Sequence, residues 1–327
     1  MRRNQKVLVL VLLAAGLLAA GCQEQILRCT YQVGDVEKVR YTGERVYKSW
    51  LEMPGKDPQD VGTNRTREEV VMVREVESVE ADGGAVMKVT LESVMIELSG
   101  KDEAAAKKYV SNADGTSSWG SEPGLAGKSY RIRIAPDTRV LEVMGLNEVR
   151  QQAGLQEGDK GVVARMLEED RIKRYHQHDF VMYSPKSVSS QKGYDTEMLP
   201  LPDDMIKATA IKKHYTAAAA GDVIEVNGRG EAVHGTVPGF EEPKINQFGQ
   251  AIIKQQSDMQ KLEITDEGRF GISQGKVLQD NKEVACSLVL LEENLFGGQA
   301  GANAKKKDEW GVMYTDIYLK SQFEVLP

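Results

Sequence analysis

Between Val70 and Leu98 the sequence alternates as a strand does and a helix cannot. Val70 to Val79 is a β-branched run, and Asp82-Gly83-Gly84 is a turn signal. On the return Met87, Val89 and Leu91 alternate with Lys88, Thr90 and Glu92. Period two with one polar face marks a strand wet on one side, the habit of antiparallel sheets. Beyond Ser93 the apolar positions change parity to Val94, Ile96 and Leu98. That change predicts a β-bulge or a strand covered on both faces.

The same patterning recurs along most of the chain. Val36 to Tyr47 is rich in β formers. Tyr130, Ile132 and Ile134 alternate with Arg131 and Arg133, which read as a solvated face, and Pro136-Asp137-Thr138-Arg139 turns the chain into Val140 to Met144. The period then lengthens. Asn147 to Arg150 opens a short helix that Gly154 stops, and Val162, Val163, Met166, Leu167 and Ile172 recur at helical spacing. After Pro185 strand patterns return. Asn227-Gly228-Arg229-Gly230 and Asp266-Glu267-Gly268 read as the turns of two further hairpins, Ile245 to Met259 as a helix, Glu283 to Leu291 as a buried strand, and Trp310 to Val325 as a long final strand. The expected fold is α+β, mainly antiparallel β. It is either one curved sheet or two β-rich halves (29–146 and 185–327), with a helical connector (147–184) packed on the sheet.

The N-terminus belongs to none of this. Arg2, Arg3 and Lys6 precede an apolar run from Val7 to Leu18, and Ala19-Ala20-Gly21 leads into Cys22. A basic head, a short apolar stretch and small residues describe a secretory signal. With a cysteine after the small residues, it resembles a bacterial lipoprotein signal, in a looser form with Ala19 where leucine is commonest. The resemblance implies that 1–21 is removed, that Cys22 is acylated, and that 22–28 tethers the domain to a membrane of the cell envelope, on its outer-membrane or periplasmic face. The apolar run is shorter than the roughly 20 residues a spanning helix needs. The formal net charge is −7, and losing the three basic residues of the signal makes it more negative. An acidic surface repels phosphate backbones, so nucleic acid is not an expected partner.

Cys29 and Cys286 are the remaining cysteines. Paired, they would close a loop spanning most of the chain, worth about 5 kcal/mol in the chain-entropy model. Unpaired, Cys286 fits the apolar face of Val284, Leu288 and Leu290 as a small hydrophobe. His176 and His178, followed by Asp179, form the clustered metal-type chemistry of the chain. On a strand they would share a face and could ligate Zn²⁺ or Cu²⁺. At a helix C-terminus, among Arg171, Lys173 and Arg174, they would complement the helix dipole instead. The sequence has no phosphate-cradling Gly-x-x-x-x-Gly-Lys-Ser/Thr loop and no His-Glu-x-x-His. No cofactor and no catalytic residue is expected.

The lipoprotein-type signal, the Tyr31-Gln32-Val33-Gly34-Asp35 opening, the Asp-Gly-Gly hairpin and the all-strand ending resemble uncharacterised β-rich bacterial lipoproteins of a planctomycete-like type. In architecture the chain is also similar to lipid-carrying half-barrel lipoproteins, whose curved sheet wraps around helices. These likenesses imply a membrane-anchored protein with a non-catalytic binding, carrier or scaffold role, for an apolar ligand or an envelope protein. The alternatives are a structural interaction module without a ligand, and a metal-assisted hydrolase using His176 and His178. An open apolar interior favours the carrier, a solid core the module, and converging His, Asp or Glu side chains the hydrolase.

Overall fold

The computed structural model describes residues 26–53, 55–100, 106–111, 116–118, 124–156, 158–159, 161–185, 193–198, 211–232, 256–292 and 311–327. Cys22 and the signal-like segment lie outside them. Six strands come first: β1 (Val36–Glu52), β2 (Gln59–Val79), β3 (Ala85–Ser99), β4 (Lys107–Ser111), β5 (Ser129–Ile134) and β6 (Val140–Met144). Among the described residues four short helices follow, α1 (Leu146–Gln152), α2 (Val162–Met166), α3 (Glu169–His176) and α4 (Asp179–Met182). The chain closes with β7 (Tyr194–Met198), β8 (Ile211–Ala220), β9 (Val223–Ala232), β10 (Gln256–Gly271), β11 (Lys276–Glu292) and β12 (Gly311–Val325).

All twelve strands form one open, curved antiparallel sheet, in the order β6-β5-β3-β2-β1-β12-β11-β10-β9-β8-β7, with β4 also on β3. The fold is therefore the mainly antiparallel α+β class expected, in its single-sheet form. Strands near in sequence are near in space, except at the centre. There β1 pairs with β12 over most of its length, from Val39↔Val325 to Glu52↔Val312. Each half of the chain fans outward from that seam, leaving β6 and β7 as the two edges. The helices connect those edges, so the chain must cross one face of the sheet between them.

Strand alternation decides which side chains meet the helices. Tyr41 of β1 touches Tyr175 of α3, ring centroids 4.7 Å apart. In register with Tyr41 on the same face are Val70 of β2 and Phe323 of β12. Extending that parity gives an inner face carrying Val39, Met72, Met87, Val89, Tyr130 and Ile132, all essentially inaccessible. The parity change in β3 has a direct cause. Val71 pairs with Ser93 but Met72 pairs with Leu91, so Glu92 is the extra residue of a bulge. The bulge keeps Leu91 and Val94 both pointing inward, and both are buried.

Two glycine-rich stretches differ from expectation. Gly228 and Gly268 are not turn residues: β9 and β10 run straight through them. A Cβ at Gly268 would overlap the ring of Phe180, and one at Gly228 would overlap the ring of Tyr215. Glycine stands there because an aromatic ring lies against the backbone. The hairpin turns lie elsewhere, at Gly221-Asp222 and Ile272–Gly275. Gln256–Met259 belongs to β10, so that end of the expected helix is strand; its earlier residues, 245–255, lie outside the described ones.

Candidate functional site

Between the inner face of the sheet and α2–α4 lies a cleft of about 530 Å³. Its apolar wall comes from Ile96 and Leu98 of β3, Val162 of α2, Met182 of α4, Val284 of β11, and Leu319 and Phe323 of β12. Arg45, Glu68, Asp280 and Lys282 reach it from the sheet; Arg165, Arg171, Arg174 and Asp179 reach it from the helical segment. Glu44 and Lys320 also border it, but their parity puts their side chains on the outer face. There Glu44 pairs with Arg65, and Lys320 with Glu283 at 2.6 Å. The cleft is amphipathic. Past Leu319 and Val284 its apolar wall continues into a second cluster of Leu262, Ile264, Cys286 and Ile317.

Beside α4 a buried ionic network runs from the cleft residues Asp179 and Lys282 into the core. Lys213 of β8, whose side chain is 0% exposed, places Nζ 2.5 Å from Asp266 Oδ2 and 3.1 Å from Asp179 Oδ2. The Tyr215 hydroxyl donates to the same Asp266 oxygen at 2.6 Å. Lys282 pairs with Asp179 from the other side. Burial works to raise the Asp179 pKa, but Lys282 and Lys213 together outweigh it and hold the carboxyl well below its ordinary range. Burial and Asp266 push the Tyr215 hydroxyl far above the ordinary tyrosine value, so it stays a donor. Asp179 is thus a fixed anion with two cationic partners, and serves to lock α4 onto β8 and β11.

His176 and His178 are each engaged separately. His176 ends α3 and is fully buried, its Nε2 3.0 Å from the Tyr130 hydroxyl. Burial first, then Arg74 and His178, lower its pKa well below the histidine norm. His176 is therefore neutral, not a cation complementing the helix dipole; Lys173 and Arg174 occupy the last turn in that role. His178 directs Nδ1 to Asp280 Oδ2 at 2.9 Å and lies on the ring of Phe323 at 4.4 Å. Its backbone is gripped by Thr138, whose Oγ1 accepts the His178 N–H at 3.0 Å. Thr138 has φ of 67°, rare for a β-branched residue, within the turn expected at Pro136–Arg139. Among the described residues no group of three or more His, Cys, Asp or Glu side chains converges in metal-binding geometry.

Cys29 and Cys286 are both buried and form no disulfide, each lying in a different apolar cluster. Burial raises the Cys29 thiol to about 11.

Glu68 and Lys282, which line the cleft, and Lys213 and Asp266, buried behind it, were not singled out as a site by the sequence. A signal was present. Asp266 shares parity with Leu262, Ile264 and Phe270, and Lys213 with Tyr215 and Ala217. A charge on the apolar parity of a strand implies a buried partner.

No protein-family model matches the chain, and no curated protein matches it. Among solved structures it has likeness to one describing lipid–protein interactions in lipovitellin, with TM-score 0.36 and 11% identity over 91% of this chain and 25% of the other. The chain thus spans a quarter of the lipovitellin chain. DynF, from the dynemicin biosynthesis pathway of Micromonospora chersina, gives TM-score 0.20 and 8% identity over 93% and 84% of the two chains. Ail, the attachment invasion locus protein of Yersinia pestis, gives 0.13 and 5% over 88% and 99%. With every TM-score below 0.5, these likenesses carry no weight for function.

Proposed function

We infer that the protein is a membrane-anchored envelope lipoprotein, acylated at Cys22, that binds an apolar or amphipathic ligand in the cleft between its curved sheet and its helices. The observation that carries this reading is the cleft itself. At about 530 Å³ it falls within the roughly 300–1,000 Å³ typical of small-molecule sites. A scaffold with a solid core has no use for such an opening. The apolar wall of Leu98, Val284 and Leu319 gives a hydrocarbon something to displace water from. The ion pairs around Asp179 fix the helices that roof it.

The test is titration with a fluorescent apolar probe. One saturable site per chain is expected, and Leu319→Trp, which fills the apolar wall, should weaken it. Probe binding that never saturates, or is indifferent to Leu319→Trp, would remove the cleft from consideration and leave an interaction module.

A further inference from the structure

We propose that the ligand is an anionic amphiphile, its oxyanion head held among Arg45, Arg171 and Arg174 and its acyl chain laid over Leu319 and Val284. This rests on the cleft being a ligand site and adds the chemistry of the ligand. Among the described residues five cationic side chains (Arg45, Arg165, Arg171, Arg174 and Lys282) and three carboxylates (Glu68, Asp179 and Asp280) line the cleft. That excess occurs in a chain whose net charge is −7. Asp179 is already held between Lys213 and Lys282, and Asp280 lies against His178. Glu68, paired with Arg171, is the cleft carboxylate beside the three arginines.

The arginines converge for reasons of register. Arg45 lies four residues from Tyr41, on the same inner face of β1. Arg171 and Arg174 are three apart on α3, hence on one helix face, and the Tyr175–Tyr41 ring contact turns that face to β1. Electrostatics at one atom agree: burial and Glu68 push the Tyr41 hydroxyl up to about 12, while Arg174, Arg171 and Arg45 all pull it down. Guanidinium forks bind carboxylate or phosphate oxygens two at a time, which a lysine cannot do. From Arg45 the register runs sideways through Leu319 and Val284 to Ile264. Of these, Leu319 and Val284 line the cleft, two inter-strand steps or about 10 Å leading away from the charge.

The experiment uses the full-length chain carrying Cys22→Ser, so that no attached acyl group competes, with a fluorescent fatty acid and the matching fatty alcohol as probes. The acid should bind about tenfold or more tighter than the alcohol. Arg45→Gln with Arg174→Gln should bring the acid down to the alcohol and leave the alcohol unchanged, which also reports that the variant is folded. Arg45→Lys with Arg174→Lys should retain part of the preference. Inorganic phosphate at equal concentration should not displace the acid; displacement by phosphate alone would overturn the acyl half of the proposal. Equal binding of acid and alcohol, untouched by the arginine variants, would overturn the head assignment while the cleft stands. Binding of neither would end the cleft reading as well.

Discussion

The ring of Phe180 on α4 lies against the backbone of Gly268 on β10, so closely that a single added methyl group would overlap it. Phe180 is fully buried, and Tyr194 of the edge strand β7 donates its hydroxyl to the Phe180 carbonyl at 2.6 Å. One helical residue thus joins the middle of the C-terminal half to its edge. Gly268→Ala should cost about 1–3 kcal/mol through overpacking, and Phe180→Ala about 3–5 kcal/mol. In the Phe180→Ala background the glycine substitution should cost much less, because the clash is gone. Denaturant unfolding of the four proteins measures this. Additive costs would mean that the two residues do not touch.

Lys213 and Asp266 make the second expectation. Lys213→Met leaves Asp266 buried without its closest cation and should cost about 3–5 kcal/mol, while Lys213→Met with Asp266→Asn should recover a good part of it. A single substitution as mild as the double would contradict a buried pair.

The pH dependence follows from His176. Its folded pKa lies well below the ordinary 6.5, so below that value the unfolded chain binds a proton that the folded chain refuses. Stability therefore rises with pH up to about 6.5 and falls on acidification below it, by at most about 1.4 kcal/mol per pH unit from this group. Asp280, raised chiefly by burial, acts in the opposite sense above 3.8. Asp179, held low by its two lysines, contributes stability lost only below that value. Comparing His176→Gln with the parent between pH 5 and 6.5 isolates the histidine. A slope unchanged by the substitution would show that His176 is charged in the folded state.

What could be read from the sequence, and what could not, divides along one line. Period-two alternation from Met87 to Leu91, its parity change after Ser93, and the helical spacing from Val162 to Ile172 each reflect local burial, and each appears as strand, bulge or helix. Glycine misled the reading twice. A turn glycine and a glycine under an aromatic ring look alike in sequence, and at Gly228 and Gly268 the ring comes from another element. The cleft was illegible for a similar reason. Arg45, Glu68, Arg171 and Lys282 are far apart in the chain, and the β1–β12 seam and the helical crossing bring them together.

The thiols give a direct check on the cysteines. Buried and outside any disulfide, with Cys29 raised to about 11, Cys29 and Cys286 should resist thiol reagent at pH 8 in the folded protein. Both should react once guanidinium unfolds it. A protein lacking two titratable thiols in denaturant, with mass two hydrogens lower, would instead contain the disulfide.

The anchor is tested by metabolic labelling. Expressed in a bacterium, the chain should take up labelled fatty acid and sediment with membranes, and Cys22→Ser should abolish both. Labelling that persists in that variant would contradict acylation at Cys22.

The measurement that bears most directly on a cleft built to hold a ligand is native mass spectrometry of the protein purified from its own envelope, followed by solvent extraction. One amphipathic molecule per chain is expected, released on unfolding and displaced by a fluorescent fatty acid. A protein that arrives empty and binds no apolar probe would contradict the carrier reading and leave the cleft a feature of shape alone.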